Sequence, residues 1–221
     1  MTDTLILCVA AIIAGIVNSV AGGGTLLTFP ALLYVLGTGE DMAVIANGTS
    51  TIALFPGSLA AVWGYRREMV GTRAAVLPLL LPSLIGGTLG TWLVVSYPAK
   101  TFQSLVPWLI LLATILFAIQ PLITRWTGIG QPHTSPTMGT KLGIVIFQFA
   151  VALYGGYFGA GIGILMLSSL ALMGNSDIHR MNAIKSLLAS LINGTSVAVF
   201  IWQRKVDWRL AIPMIAAGIV G

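Results

Sequence analysis

The chain has 221 residues, of which 57% are hydrophobic and only 8% are charged, and its formal net charge is +5. An ordinary soluble domain carries about 25% charged residues, so this composition excludes a water-soluble protein of this size. The basic residues lie in short segments between long apolar runs, a pattern that reflects membrane topology and argues against a nucleic-acid partner. Because about 20 apolar residues span a bilayer, the sequence predicts a polytopic membrane protein with the lipid bilayer as its partner.

The first half of the chain predicts four apolar helices. The runs cover about residues 5–36, 42–65, 74–95 and 102–123. The first run is longer than one span requires, and Gly22, Gly23 and Gly24 break it at its centre. The second run is unusual because a group of polar residues, from Asn47 to Thr51, lies inside it.

The second half repeats this arrangement after a polar segment. Residues 125–140 are rich in Pro, Gly and Thr and are predicted to form a linker. A fifth run, about 141–173, contains a second glycine-rich break between Gly155 and Gly163. A sixth run over about 181–202 and a seventh that reaches Gly221 follow.

The two halves can be aligned as an internal repeat. The aligned pairs are Gly22 with Gly161 and Gly24 with Gly163 at an offset of 139, Asn47 with Lys185, Ser58 with Ser196 and Arg67 with Lys205 at an offset of 138, and Gly86 with Gly221 at an offset of 135. We therefore expect an all-α transmembrane domain over residues 1–221, with repeat 1 at about 1–124 and repeat 2 at about 141–221. Each repeat would be a four-helix unit with a glycine-broken first helix. The last aligned pair leaves repeat 2 incomplete, which predicts a C-terminally truncated piece of an eight-span protein.

Loop charges give an expected orientation. If every run crosses the membrane once, one face carries Arg66, Arg67, Arg73, Arg125, Lys141, Arg204, Lys205 and Arg209, and the other carries only Lys100 and Arg180. The positive-inside rule then places the basic face and the N-terminus in the cytoplasm. The same count favours broken helices that still cross, with the two repeats in parallel orientation. Re-entrant hairpins would instead place the loops that carry Arg66 and Arg204 on opposite faces.

The glycine breaks are the first candidate for a binding site. Inside a bilayer, backbone that is not helical is tolerated only against protein or a water-filled cavity. A half-helix that starts at such a break directs free N–H groups and the positive end of its dipole into that cavity. Two breaks would therefore form a paired anion site, although glycines also serve simply to let helices pack closely.

Lys185 is the basic residue that lies inside an apolar run, and intramembrane ionisable residues mark functional sites. It also lies close enough to Arg180 for its ammonium to extend to the interface instead. Neutral hydrogen-bonding residues in the second and sixth runs add to it, and Asn47 and Asn193 cost most to bury without a partner. The candidate substrate-binding residues are Gly22, Gly23, Gly24, Thr25, Asn47, Thr49, Ser50, Gly161, Gly163, Lys185 and Asn193.

Enzymatic chemistry is not predicted. His133 lies in the polar linker and His179 in a turn, and the acidic residues lie outside the apolar runs. The sequence therefore predicts no catalytic residue, no metal site and no cofactor.

Four segments, taken together and in this order, carry a family resemblance. They are residues 15–33 with the three-glycine break, Asn47-Gly-Thr-Ser50, residues 155–163, and the stretch from Asn182-Ala-Ile-Lys185 through Asn193 to Val206-Asp-Trp208. The chain resembles the TauE/SafE family of sulfite exporters over essentially its whole length. The resemblance implies a multi-pass inner-membrane permease of two four-helix repeats that moves small sulfur-containing anions such as sulfite, thiosulfate or sulfonates.

Resemblance and physical chemistry both predict a secondary transporter of small anions. The substrate would lie between the glycine breaks, in contact with Asn47, Thr49, Lys185 and Asn193, and one repeat would move against the other. Two alternatives stay open, a passive anion channel and an assembly or sensor subunit that transports nothing.

Overall fold

The computed structural model describes residues 2–20, 22–37, 39, 41–119, 122, 138–172 and 177–221. Within these residues the chain forms nine helices and no strand, which confirms the all-α prediction. Numbered in chain order, the helices are α1 (Thr2–Val20), α2 (Thr25–Leu36), α3 (Met42–Gly64), α4 (Arg73–Ser96), α5 (Ala99–Ala118), α6 (Met138–Tyr157), α7 (Ile162–Leu172), α8 (Ile178–Trp202) and α9 (Trp208–Val220). The predicted linker lies outside the described residues up to residue 137, and α6 begins at Met138, earlier than expected.

In the part of the chain that the structure describes, four helices, α3, α4, α5 and α8, are long and apolar enough to cross a membrane. At 1.5 Å per residue, the 23 residues of α3 extend about 34 Å, slightly more than the hydrocarbon core of a bilayer. This confirms the prediction of a polytopic membrane protein.

Both glycine-rich runs are interrupted, as predicted, and each forms two helices. The first break lies between α1 and α2 and includes residues 22–24, and the second lies between α6 and α7, at residues 158–161. The second break is shorter than the sequence suggested, because Gly155 and Gly156 remain in α6. A side chain at Gly156 would overlap the carbonyl oxygen of Gly87 in α4, so this glycine is needed for helix packing.

Helices α3 and α8 are antiparallel. Ser190 in α8 donates a hydrogen bond to the carbonyl oxygen of Ser58 at 2.9 Å, whereas Lys205, just beyond α8, forms an ion pair with Asp41, just before α3. The loops 65–72 and 203–207 therefore lie at opposite ends of the bundle. We call the end with Asp41 and loop 203–207 face A, and the end with loop 65–72 and the start of α8 face B.

The first glycine break turns the chain back. The hydroxyl groups of Thr28 in α2 and Ser50 in α3 are hydrogen-bonded at 2.6 Å. Because α3 follows α2 directly in the chain, this contact makes the two helices antiparallel, and α2 returns to face A. Helix α1 runs parallel to α9, from face A towards face B, because Cys8 contacts the Pro213 carbonyl and Gly15 packs against Gly218. Helices α1 and α2 are therefore a re-entrant hairpin whose two outer ends lie at face A.

The second break forms a matching hairpin at face B. Gln148 in α6 donates to Ser83 in α4 at 2.9 Å, and Thr91 in α4 donates to the carbonyl of Gly156 at 2.8 Å. Helix α6 is thus parallel to α4, and both begin at face B. Because α8 also begins there, α7 must run back from the break to face B. In agreement, a Cβ added to Gly155 would lie 3.3 Å from the Ile162 side chain.

The expectation that the broken helices cross the membrane is therefore wrong. Each hairpin removes one crossing, so every later loop moves to the other face. If the two halves are repeats, as the sequence predicts, they are related by inversion and not by parallel duplication. The basic residues are then divided between the faces: Arg66, Arg67, Arg73, Lys141 and Arg180 lie at or near face B, and Lys100, Arg204, Lys205 and Arg209 lie at or near face A. The strong charge bias disappears, and the cytoplasmic N-terminus stays a prediction without that support.

The core consists of two hydrophobic clusters. One packs α1, α2 and α3 around the aromatic residues Phe29, Phe102 and Phe158. Phe29 contacts both of the other rings edge to face, with centroid distances of 6.2 Å and 5.3 Å. The other cluster packs α4, α6, α7 and α8 through residues such as Met166 and Ile184. The first hairpin thus packs within the first cluster, and the second hairpin packs within the other.

Candidate functional site

The two glycine breaks touch each other. A Cβ added to Gly22 would lie 3.2 Å from the Cα of Gly163, and one added to Gly159 would lie 3.8 Å from the Thr25 hydroxyl. Gly22 and Gly161, which the sequence pairs at an offset of 139, both have positive φ angles, +73° and +79°. L-residues rarely adopt this left-handed conformation, so the sharp turn of each hairpin requires glycine there.

Two helices begin at this contact. Helix α2 starts at Thr25 with Gly24 as its N-cap, and a glycine offers no side-chain oxygen to the first N–H groups. Helix α7 starts at Ile162 directly after Gly161. The first N–H groups of a helix have no partner inside the helix, and they form the positive end of its dipole. Both half-helices therefore direct positive partial charge at the meeting point of the breaks.

A cavity of about 220 Å³ opens beside this meeting point. Its lining comes from both hairpins and from α3, α8 and α9. The described residues that line it are Gly15, Asn18, Gly22, Thr25, Thr51, Leu54, Gly57, Ser58, Ala60, Ala61, Gly159, Ile162, Gly163, Lys185, Ser186, Ala189, Asn193, Gly218, Ile219 and Gly221. Within this set, the polar side chains are amides and hydroxyls, Lys185 supplies the single charge, and there is no carboxylate.

Lys185 is buried in the protein. It lies two turns into α8, its exposed fraction is 3%, and its side chain lines the cavity. A lysine that reached the membrane interface would be exposed along its length, so the structure does not have the interfacial arrangement. The α8 start is fixed independently, because Asp177 caps it by accepting hydrogen bonds from the backbone of His179 and Arg180.

The cavity brings together five of the eleven candidate residues. They are Gly22, Thr25, Gly163, Lys185 and Asn193. Among the others, Gly23 faces the ring of Phe117 and Gly24 packs against Ala14 of α1. Gly161 lies behind the lining, next to Leu116 and Phe117 of α5.

Asn47, Thr49 and Ser50 of α3 lie outside this cavity and contact other elements. Asn47 donates from Nδ2 to the carbonyl oxygen of Tyr157 at 2.9 Å and so fixes the end of α6. Thr49 accepts a hydrogen bond from the backbone N–H of Asp207 at 3.0 Å, at the start of α9. Ser50 pairs with Thr28.

Sequence reasoning left several lining residues out of the candidate set, including Asn18, Thr51, Ser58, Ser186 and Gly159. Asn18 could have been included from the sequence, because it lies one helical turn before Gly22 of the first glycine break. Its carbonyl accepts a hydrogen bond from the Gly22 N–H at 3.2 Å. Ser186 follows Lys185 directly, but nothing local in the sequence shows which face of α8 meets the cavity.

The cavity lining therefore offers groups that are able to bind an anion. An ammonium group, amide and hydroxyl donors and two half-helix N-termini converge on one small cavity. Hydrogen bonds between charged partners are about twice as strong as neutral ones. Their contribution increases further in a low-dielectric interior.

Comparison with known proteins indicates a membrane transporter. The model of the family described as "Sulfite exporter TauE/SafE" matches residues 7–221. A probable membrane transporter protein of Haemophilus influenzae is 28% identical over 98% of this chain and 81% of the relative. One of Xylella fastidiosa is 30% identical over 90% of this chain and 74% of the relative. The probable membrane transporter protein YfcA of Escherichia coli is 25% identical over 98% and 77%.

No solved structure matches the chain significantly. The family model covers nearly the whole sequence, including both glycine breaks and the helix that carries Lys185. The chain therefore belongs to the sulfite exporter TauE/SafE family and is a multi-pass membrane transporter.

Proposed function

We propose that this transporter moves small anions, in particular sulfite, sulfonates or related sulfur oxyanions, and that the cavity at the glycine breaks binds them. The observation that carries the proposal is the convergence of Lys185 and the starts of α2 and α7 on one cavity. The family description supports the sulfur-containing class. The residues we assign to substrate contact are Gly22, Thr25, Gly163, Lys185 and Asn193.

The size of the cavity favours a small substrate. Its volume of about 220 Å³ is below the range of about 300–1,000 Å³ that is usual for pockets that hold drug-sized ligands. A compact anion with several oxygen acceptors matches a site that offers many N–H and O–H donors around one ammonium group. A bulky organic anion would need a wider opening between the two hairpins.

The arrangement also supplies what an anion needs in order to enter a bilayer. A bare charge in hydrocarbon is strongly disfavoured unless opposite charges or donors replace its water. The starts of two half-helices supply the positive ends of their dipoles, as in transporters whose broken helices point at an anionic substrate group. Candidate residues outside the cavity, Asn47, Thr49 and Ser50, would support these helices in the state seen here.

The test is flux through proteoliposomes that contain the purified protein. We expect saturable flux of labelled sulfite or a small sulfonate and much weaker flux of a carboxylate of equal charge. Lys185→Met should lower sulfite flux about tenfold or more, because a hydrogen bond to a charged group contributes roughly 1.5–3 kcal/mol. Lys100→Met, an exposed lysine at the start of α5, is the matched control and should leave the flux unchanged.

The two alternatives predict different results. A passive channel would give flux that does not saturate with anion concentration. A subunit without transport activity would give no flux of any anion above that of protein-free liposomes. The second result would overturn the proposed function.

A further inference from the structure

Helix α3 is hydrogen-bonded to both hairpins within one helical turn. The Asn47 amide donates to the carbonyl oxygen of Tyr157 at 2.9 Å, and Tyr157 is the last residue of α6 before the second break. The Ser50 hydroxyl is hydrogen-bonded at 2.6 Å to that of Thr28, which ends the first turn of α2 after the first break. Asn47 and Ser50 are three residues apart and therefore lie on the same side of α3. We call these two hydrogen bonds the α3 contacts.

The contact at Ser50 extends to the first break itself. The Thr28 hydroxyl donates to the carbonyl oxygen of Gly24, the N-cap of α2, at 3.3 Å. A hydroxyl group has one proton to donate, so Ser50 is then the donor in its hydrogen bond with Thr28. Two successive hydrogen bonds thus connect α3 to the residue at which the α2 half-helix begins.

Both α3 contacts are buried inside the protein. Asn47 is 1% exposed, and Ser50 and Thr28 are fully buried. A buried donor or acceptor that loses its partner costs the desolvation of that group, so these bonds hold the two hairpins firmly against α3. The Asn47 Oδ1 has no hydrogen-bond partner among the described residues. The bond from its Nδ2 to Tyr157 is therefore what this amide contributes to the structure.

The α3 contacts lie next to the cavity without lining it. Thr28 is one turn after Thr25, and Tyr157 is two residues before Gly159, and both Thr25 and Gly159 line the cavity. These two lining residues face each other, since a Cβ added to Gly159 would lie 3.8 Å from the Thr25 hydroxyl. A shift of either hairpin relative to α3 would therefore change the spacing of the groups that meet an anion.

We propose that Asn47 and Ser50 are positioning residues of the anion site, which set the spacing between the starts of α2 and α7 and thereby the affinity for the substrate. This inference rests on the proposed transport function. Binding groups must be held to within about 0.5 Å by hydrogen bonds from the residues behind them, and α3 supplies one such bond to each hairpin. Because α3 belongs to the first half of the chain and α6 to the second, Asn47 also joins the two halves at the site.

Thr28→Val tests the contact at the first break, because valine keeps the branched shape of threonine and removes the hydroxyl. We expect the half-saturation concentration of sulfite flux in proteoliposomes to rise about three- to tenfold, the factor that the loss of one intramolecular hydrogen bond gives, with the maximal rate unchanged. Thr28→Ser keeps the hydroxyl and should retain the affinity of the unmodified protein. Ser50→Ala removes the same hydrogen bond from the other side, so its addition to Thr28→Val should cause little further change.

Asn47→Leu tests the contact at the second break with a side chain of similar size, and we expect the same rise in the half-saturation concentration. Ser83→Ala is the matched control. Ser83 is also fully buried and accepts a hydrogen bond between helices, from Gln148 of α6 at 2.9 Å. Its replacement should lower the melting temperature in detergent as Ser50→Ala does, but should leave the half-saturation concentration unchanged.

Sulfite binding in detergent, measured as the rise in melting temperature with sulfite concentration, gives a second readout that does not need flux. Half-saturation concentrations and sulfite-dependent rises that stay unchanged in Thr28→Val, Ser50→Ala and Asn47→Leu would overturn the inference. Flux no greater than that of protein-free liposomes would contradict the proposed function instead. In that case, a sulfite-dependent stabilisation that weakens in these variants but not in Ser83→Ala would still support the positioning role.

Discussion

At the scale of single residues, Gly22 has the strictest steric requirement. Its φ angle of +73° is unfavourable for L-residues, and a Cβ there would press on the backbone of Gly163 at 3.2 Å. A backbone atom in the facing hairpin cannot move aside as a flexible side chain would. The contact between the hairpins therefore depends on the absence of a side chain at this position.

We expect Gly22→Ala to destabilise the protein by about 1–2 kcal/mol from the left-handed backbone alone and to reduce sulfite flux because the cavity changes shape. Thermal unfolding in detergent and proteoliposome flux measure the two effects. Gly64→Ala is the control, since Gly64 has open space around its Cβ position in the last turn of α3. An unchanged melting temperature for Gly22→Ala would contradict the tight contact between the breaks.

Individual residues differ in how far the sequence predicts their position. Lys185 was identifiable because a charge inside an apolar run stands out, and the structure places it in the cavity. Asn47 stood out because its amide is costly to bury without a partner, yet it fixes the end of α6 through Tyr157, 110 residues away. A polar residue in an apolar helix must find a partner, but sequence does not tell whether the partner is a ligand or another helix.

At the scale of elements, α4 and α6 show why the chain contains so many glycines. Side chains at Gly90 and Gly156 would overlap the carbonyl oxygens of Leu153 and Gly87, respectively. Lipid provides little hydrophobic force between helices, so close backbone approach and dispersion hold such pairs together. The Thr91 hydroxyl also bonds to the Gly156 carbonyl across this interface at 2.8 Å.

Gly90→Ala should therefore force α4 and α6 apart. We expect a loss of about 1–3 kcal/mol, the usual range for overpacking, and a lower melting temperature in detergent. Gly143→Ala tests the same change in α6 at a position with nothing within 4 Å of its Cβ. Equal melting temperatures for the two variants would show that the α4–α6 contact is looser than described.

This interface also explains one boundary that the sequence misplaced. Apolar runs of more than about 20 residues predicted the helices themselves, because length and hydropathy are local properties. Gly155 and Gly156 were assigned to the break because the local sequence around them is rich in glycine. They remain helical because α4, more than 60 residues earlier in the chain, packs against them, and no local pattern contains that information.

At the scale of the whole molecule, the two hairpins determine in which direction the helices of each half cross the membrane. The positive-inside rule was applied to loops whose faces were assigned by assuming a crossing at each break. One wrong crossing exchanges the faces of all later loops, so an apparently strong bias arose from the assumption. The antiparallel pairing of α3 with α8, seen in the Ser190–Ser58 and Lys205–Asp41 contacts, fixes the faces independently of charge.

The hairpins predict a topology that can be measured directly. Cysteines introduced at residues 70 and 207 of the Cys8→Ala protein should be modified by an impermeant reagent from opposite sides of the membrane. A cysteine at residue 39 should behave like the one at residue 207, because Gln103 donates to the Gly39 carbonyl at face A and joins that loop to the start of α5. Modification of residues 70 and 207 from the same side would instead mean that the broken helices cross the membrane. The two repeats would then have a parallel orientation. Opposite modification would agree with α3 and α8 as two antiparallel spans, both of which line the cavity.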